Sequence, residues 1–372
     1  MVRISLLVVA LGLAPWLLAE GKKEKKAEAK PNTLTAKEIA DGRVLLFDGE
    51  TTFGWKVKGE VKVENGTLVL GGTKATTLTS TTSLGYGTWR MEAKSTKEPG
   101  FITVHGKLRM PAPSDKPWAS VSIERTSAED TGRPIKSPFP VELSVDAGGT
   151  FSIRNFRFRP STPTQLFNGK DLSGWKVFKG NPKQEKSKFT VTKEGWLNVK
   201  DGPGDLQTTR TFGDFVLQLE CISNGTRLNS GVFFRAIPGK YQQGYEAQVH
   251  NGWLDKPKAI TVDDYDPKEK KAINRKVETT AMDFGTGAIY RRQPARRAVA
   301  KDKEWFAMTV IANGRHFATW VNGVQQVDWS DHRPGNDNPR QGYRAKAGAI
   351  SIQGHDPTTD LSFRNVRAGA LP

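Results

Sequence analysis

The chain has 372 residues, a formal net charge of +17 and a single cysteine. That length suffices for two ordinary domains with a substantial core. A lone cysteine excludes an intramolecular disulfide, so stability must come from packing. The positive charge is dispersed between an N-terminal Lys-rich stretch and Arg291, Arg292, Arg296, Arg297, Lys301 and Lys303, and no nucleic-acid-binding motif accompanies it. No nucleic-acid partner is expected; contact with an anionic polysaccharide or a cell-envelope surface is the use such a charge suggests.

Residues 1–19 have the layout of a secretory signal peptide: Arg3 supplies a charged start, residues 4–18 an apolar stretch, and Ala19 a small residue at the cleavage point. The expected location is therefore periplasmic or extracellular. Residues 20–43 form a Lys-rich linker and a short helix. GKKEKKAEAKPN has no apolar periodicity and is expected to be disordered. Thr35, followed three residues later by Glu38, makes a capping box, and Gly42 can close the helix it opens.

Beyond this point the chain writes one pattern twice. VLLFDGETTFGWKV is answered by QLFNGKDLSGWKV, which starts at Gln165. Residues 61–70 are answered by residues 189–199, residues 78–94 by residues 206–222, and FSIRNFRF by LSFRNVRA. A shared start, middle and end predicts two related domains, 44–160 and 165–372, jointed at PSTPT. Helical periodicity is nearly absent. Short alternating runs bounded by Gly, Asn, Asp and Pro predict an all-β protein of two tandem β-sandwiches. The clearest run, WFAMTVIANGRHFATWVNGVQQVDW, reads as three strands joined at Asn313-Gly314 and Asn322-Gly323. Cys221, within FVLQLECIS, is expected to be a buried small hydrophobe.

The stretch with chemistry in it is NSGVFFRAIPGKYQQGYEAQVHN, residues 229–251. It reads as a hairpin. Alternation puts Tyr245, Ala247 and Val249 on one face and Glu246, Gln248 and His250 on the other. A loop centred near Lys240 would set Arg235 opposite Glu246. In GAISIQGHD the same rule places Gln353 and His355 away from the core. Asn229 and Ser230 precede the Arg235 strand and could hydrogen-bond a ligand or cap a turn. Tyr290 and Trp175 could stack on a ligand ring, although core aromatics are the commoner outcome. Residues 252–284 lack clear periodicity and are expected to be a loop near the site, with Asp263, Asp264 and Asp266 solvated. No organic cofactor motif is visible. Glu246 and His250 are too far apart along a strand to share an ion, whereas Glu246 with His355 leaves a divalent metal open.

The ordered set LFxGxxxxGW, NSGxFFR, GYEAQ, TGAIY and IQGHD before FRNV resembles the 3-keto-disaccharide hydrolase family, also described as a 3-keto-glucoside 1,2-lyase / 3-keto-2-hydroxy-glucal hydratase domain. The second copy matches along its length, the first at its opening and close. His250 and Gly354 depart from the family pattern. The resemblance implies a concanavalin- or LamG-like jelly roll for each copy, and cleavage of the glycosidic bond of an oxidised (3-keto) disaccharide by elimination or hydrolysis. On that reading Glu246 is the base, Arg235 the enolate stabiliser and His355 the leaving-group acid, with Glu246 and His355 exchangeable. Asn229, Ser230, Gln248, Gln353 and Tyr290 would hold substrate. The first copy, lacking GYEAQ and IQGH, would have no catalytic site; Glu124 would stand near the place of Glu246. The competing reading is a non-catalytic carbohydrate-binding or adhesive envelope protein.

Overall fold

The computed structural model describes residues 30–98, 100–104, 107–109, 118–125 and 138–371. The expected signal peptide and most of the Lys-rich linker lie outside the described residues. After helix α1 (Ala36–Ala40), which has the expected capping box of Thr35 and Glu38, the described chain is almost entirely β.

The first half supplies β1 (Val44–Leu45), β2 (Trp55–Lys58), β3 (Val61–Glu64), β4 (Thr67–Gly71), β5 (Thr76–Ser80), β6 (Gly87–Thr96), β7 (Gly100–Thr103), β8 (Lys107–Arg109), β9 (Ala119–Arg125), β10 (Glu142–Val145) and β11 (Thr150–Pro160). The second half supplies β12 (Thr164–Gln165), β13 (Trp175–Val177), β14 (Lys188–Val191), β15 (Leu197–Lys200), β16 (Gly204–Thr208), β17 (Phe215–Ser223), β18 (Ser230–Ala236), β19 (Tyr245–Val249), β20 (Trp253–Asp266), β21 (Lys271–Ala281), β22 (Phe306–Asn313), β23 (His316–Val321), β24 (Val324–Ser330), β25 (Ala349–Gly354) and β26 (Asp360–Ala370).

The strand orders correspond. In the first half β3-β4-β11-β6-β9 faces β2-β5-β10-β7-β8; in the second β14-β15-β26-β17-β22-β23-β24 faces β13-β16-β25-β18-β19. Local chemistry repeats with the topology. Trp55 Nε1 donates to the Leu46 carbonyl at 2.6 Å, and Trp175 Nε1 to the Leu166 carbonyl at 2.9 Å. Arg154 pairs with Glu92 and Arg364 with Glu220, both at 2.6 Å, each beside an Asn in the left-handed region, Asn155 and Asn365. The β22–β24 meander forms with the expected two-residue turn at Asn322-Gly323, while the first turn falls one residue later than expected, at Gly314-Arg315, because Asn313 pairs with His316. Cys221 is fully buried.

Each pair of sheets encloses its own apolar core, but the cores are not independent of one another. Val216, Ile311, Ala318 and Trp320, on the outer face of the β17–β22–β23 sheet, belong to the first core. Trp320 Nε1 donates to the Leu45 carbonyl at 3.0 Å, and Leu45 N–H to the Gly323 carbonyl at 2.8 Å. The described residues of Pro31–Pro372 form one compact unit.

Outside the site, the structure differs from the sequence reading at Asn32, along residues 252–284 and at Glu124. Asn32, grouped with the disordered linker, is buried and exchanges hydrogen bonds with Asn155, because the Asn155 bulge leaves backbone groups to be satisfied. Residues 252–284, expected to be a loop, are mostly the long antiparallel ribbon β20–β21. Of the ribbon residues only Val262 and Ala281 are buried, so no sustained apolar alternation develops. Its acidic residues are engaged: Asp263 pairs with Arg292, Asp264 with Arg275, and Asp266 caps the tip turn. Glu124 lies on β9, paired with β6 in the larger sheet, and is not the counterpart of Glu246. That register position in the first half is held by Lys107, opposite Thr103.

Candidate active site

The site is built on the outward face of the sheet β13-β16-β25-β18-β19. As expected, Tyr245, Ala247 and Val249 enter the core, so Glu246 and Gln248 point away from it. The register sets Gly231 opposite Gln248 and Phe233 opposite Glu246; one sheet neighbour further, Ser351 lies beside Phe233, and on β16 Asp205 lies opposite Gln353 and Gln207 opposite Ser351. The face therefore carries two rows, Asp205–Gln353–Gly231–Gln248 and Gln207–Ser351–Phe233–Glu246. Gly231 is required by this arrangement. A Cβ there would lie 2.5 Å from Glu246 Oε1, so the carboxyl group leans over the glycine.

At one end of the rows the expected residues do converge. Asn229 Nδ2 donates to Asp283 Oδ2 at 2.5 Å and lies 3.4 Å from His355 Nε2. Gln248 Nε2 reaches Asn229 Oδ1 (3.3 Å) and the Asp283 carbonyl and carboxylate (2.9 Å each). His355, exposed just past β25, has Nδ1 2.8 Å from Asp356 Oδ2, which fixes the ring and leaves Nε2 toward the face. Tyr290 is half-buried, and its N–H donates to the Glu246 carbonyl at 3.0 Å. Trp175 is a core residue.

Arg235 and Ser230 are not part of this constellation. The hairpin closes one residue earlier than a loop centred on Lys240 would allow, and β18 bulges against β25 between Phe233 and Ala236, with Arg235 at φ +45°. A one-residue slip exchanges faces. The Arg235 guanidinium is accordingly buried, donating to the carbonyls of Gly213 (2.9 Å), Gly314 (2.8 Å) and Arg344 (3.0 Å) and to Asp214 (2.6 Å). Ser230 alternates with Val232 toward the interior, where its hydroxyl is spent on the Gln353 carbonyl at 2.7 Å.

The cation actually at Glu246 is Arg340, from the loop between β24 and β25. Its Nη2 is 3.5 Å from Glu246 Oε2, its Nε donates to the Gln242 carbonyl at 2.6 Å, and it lies over the Phe233 ring. Burial pushes the Glu246 carboxyl up to about 8; Asp283 and Asp205 add to this while Arg340 and Arg291 oppose it. Burial likewise pushes Asp205 up to about 7. His250 is also buried, which lowers its pKa, and its Nδ1 accepts from Gly252 N–H at 3.2 Å. Among the described residues no group of three or more His, Cys, Asp or Glu side chains is placed to hold a metal ion.

The sequence reading misses Arg340, Asp283 and Asp205. Arg340 and Asp283 sit in irregular segments and reach the face only through tertiary packing; Asp283 and Phe284 are consecutive left-handed residues, a conformation unusual outside glycine. Asp205 had a local signal: GDLQT alternates, so Asp205 and Gln207 share the face that Leu206 leaves.

Comparison with known proteins sets this face in context. No curated protein matches the sequence. A provisionally assigned glycosyl hydrolase from Parabacteroides distasonis ATCC 8503 is 20% identical, with 57% of this chain and 94% of that one covered and a TM-score of 0.41. The carbohydrate-binding module CBM66 from Bacillus subtilis is 15% identical over 53% of this chain and 96% of its own, with a TM-score of 0.34. A protein of unknown function with a galectin-like fold from Bacillus subtilis is 13% identical over 57% and 97%, also at 0.34. The model of the 3-keto-alpha-glucoside-1,2-lyase-like domain matches residues 162–368, which are the second sandwich and its ribbon. Covering more than half of the sequence, and with it the whole polar face, that match makes the chain a member of the 3-keto-alpha-glucoside-1,2-lyase-like domain family.

Proposed function

We propose that the protein is an exported carbohydrate-active enzyme that cleaves 3-keto-glycosides by elimination. The observation that carries this reading is that Glu246, whose carboxyl burial pushes up to about 8, and His355, whose Nδ1 is held by Asp356, stand on the same sheet face in a chain of this family. A ketone at C3 acidifies the C2 proton, because its removal gives an enolate. His355 Nε2 takes that proton. The electrons pass to the C3 oxygen, where positive charge from Arg340 steadies them. As the carbonyl reforms, a C1–C2 double bond forms, the C1–O bond breaks, and Glu246 protonates the departing oxygen. This exchanges the roles first expected for Glu246 and His355. Burial favours the neutral carboxyl, which suits an acid, and the Asp356 contact orients the His355 ring with Nε2 toward the face. Gln248, Asn229 and Asp283 form a bonded network at this end of the face that can hold the ring hydroxyls.

The test is direct. Purified protein is incubated with a 3-keto-disaccharide and with its unoxidised parent, and the products are followed by mass spectrometry. Cleavage of the keto sugar alone, with C2 deuterium exchange in heavy water, is expected. Cleavage of the parent would discard the enolate route, and no cleavage of a panel of keto sugars would leave a binding protein.

A further inference from the structure

The outward face of the larger sheet in the first sandwich carries a run of arginines. Val44, Phe158, Trp89 and Met91 enter the core, so Arg43, Arg157, Arg159 and Arg90 point the other way. The register sets Arg157 opposite Arg90 and Arg159 opposite Thr88; Val44 pairs with Phe158, which brings Arg43 alongside Arg159. Arg90 and Arg159 are diagonal neighbours, a spacing that long side chains bridge. The fold does not require this run. The second sandwich, built on the same register, has Pro163, Gln218 and Gly369 in the places of Arg43, Arg90 and Arg159, and keeps only Arg367 in the place of Arg157.

The carboxylates nearby do not balance these charges. Glu38 is held by Arg157, and Asp41 lies 3.5 Å from Lys37. Glu124 shares the row of Arg159 but stands beyond Thr88. Among the described residues Arg43, Arg90 and Arg159 make no ion pair. Arg43 is nevertheless buried, and its Nη1 has no hydrogen-bond partner. Burial and the charges of Arg90 and Arg159 lower its pKa, while Glu38 and Asp41 oppose the shift. From the second sandwich the Arg367 guanidinium abuts Gly42, and its Nε is likewise unpartnered. Buried cations are ordinarily paired, so orphaned donors among like charges mark a place for an anion. Beside the arginines runs a groove of about 360 Å³, lined by Arg90, Arg157, Glu92, Ser120, Ser122 and Asn155. Glu92 is taken by Arg154 at 2.6 Å, and the two serines are exposed, with hydroxyls that can serve a polar ligand.

We propose that Arg43, Arg90 and Arg159 form an oxyanion-binding site for a sulfate or phosphate ester on a saccharide, whose ring lies in the groove over Ser120 and Ser122. The site belongs to the first sandwich and depends neither on the Glu246 face nor on turnover. It is tested by titration calorimetry of the full chain at constant low ionic strength, with glucose 6-sulfate, glucose 6-phosphate, inorganic sulfate, inorganic phosphate and glucose as probes. At least one ester should bind more tightly than its inorganic ion, and glucose should not bind; the better ester names the oxyanion. Arg90→Gln and Arg159→Gln, both exposed and so without cost to folding, should each weaken that ester about tenfold, the loss of one charge-assisted hydrogen bond. Arg210→Gln removes an exposed arginine elsewhere on the chain and should leave binding unchanged. Equal loss in Arg210→Gln would mean attraction to the chain's net positive charge alone, and would overturn the site. So would wild-type affinity in both Arg90→Gln and Arg159→Gln, or esters that bind no better than the inorganic ions.

Discussion

Glu246 is the residue on which most of the chemistry turns, and its position makes two measurable demands. As an acid it works only while protonated, so kcat should fall as pH rises through about 8. Glu246→Gln should lower kcat by about 10²–10⁴-fold, the usual contribution of a general acid or base, and remove that limb of the profile. The same shift is a statement about stability. A carboxyl with a folded-state pKa above its ordinary 4.5 binds more protons folded than unfolded, so the stability it lends is complete below 4.5 and is lost as pH rises through about 8. Thermal melts should therefore show Glu246→Gln gaining on the wild type at pH 9 relative to pH 4. A pH-independent difference would mean that the carboxyl is not shifted. Arg235 makes the opposite case. Its guanidinium holds three carbonyls and Asp214 together at the end of the sandwich, so Arg235→Met should cost about 3 kcal/mol in stability. The activity per folded molecule should persist. A stable but inactive Arg235→Met would return this residue to the chemistry.

At the scale of elements, β18 decides the site more than any other strand. Its glycine makes room for the Glu246 side chain, and its bulge throws Arg235 out of the face. Gly231→Ala tests the first point. Alanine suits a strand interior, and the nearest atoms its Cβ would meet all belong to the Glu246 side chain, so the fold should survive while that side chain shifts. Because that carboxyl must move, kcat should drop at least tenfold. An active Gly231→Ala enzyme would show that Glu246 works from another position. The register pairs Phe233 rather than Arg235 with Glu246, and the bulge explains why Arg235 leaves the face altogether: alternation is a local rule, and one inserted residue reverses it. The ribbon β20–β21 was illegible for a related reason. A two-stranded arm in which only Val262 and Ala281 are buried imposes no sustained hydrophobic period.

Over the whole molecule, the two sandwiches share more than a linker. Trp320 is almost completely buried against the first core and bonded to Leu45, so Trp320→Ala should cost about 3–5 kcal/mol, measured by denaturant unfolding. A fragment of residues 164–372 leaves Val216, Ile311, Ala318 and Trp320 uncovered, and should self-associate or melt well below the full chain. A monomeric fragment as stable as the whole would show that the interface contributes little.

Alternation, turn signals and the repeated motifs determined the strand content, the meander with its Asn-Gly turn at residues 322–323, the capping box, the core faces, the meeting of Gln248, Asn229 and His355, and the placing of Glu246 on the same face. Each of these is set by neighbours within a few residues, or by a pattern the chain repeats. Only the tertiary structure decided which cation meets Glu246, that Asp283 and Asp205 share its surroundings, that Ser230 and Arg235 are spent on the scaffold, and that one sandwich packs on the other. Those outcomes depend on a bulge, on irregular loops such as the one carrying Arg340, and on the burial that raises a carboxyl's pKa. None of these has a period that a sequence can display.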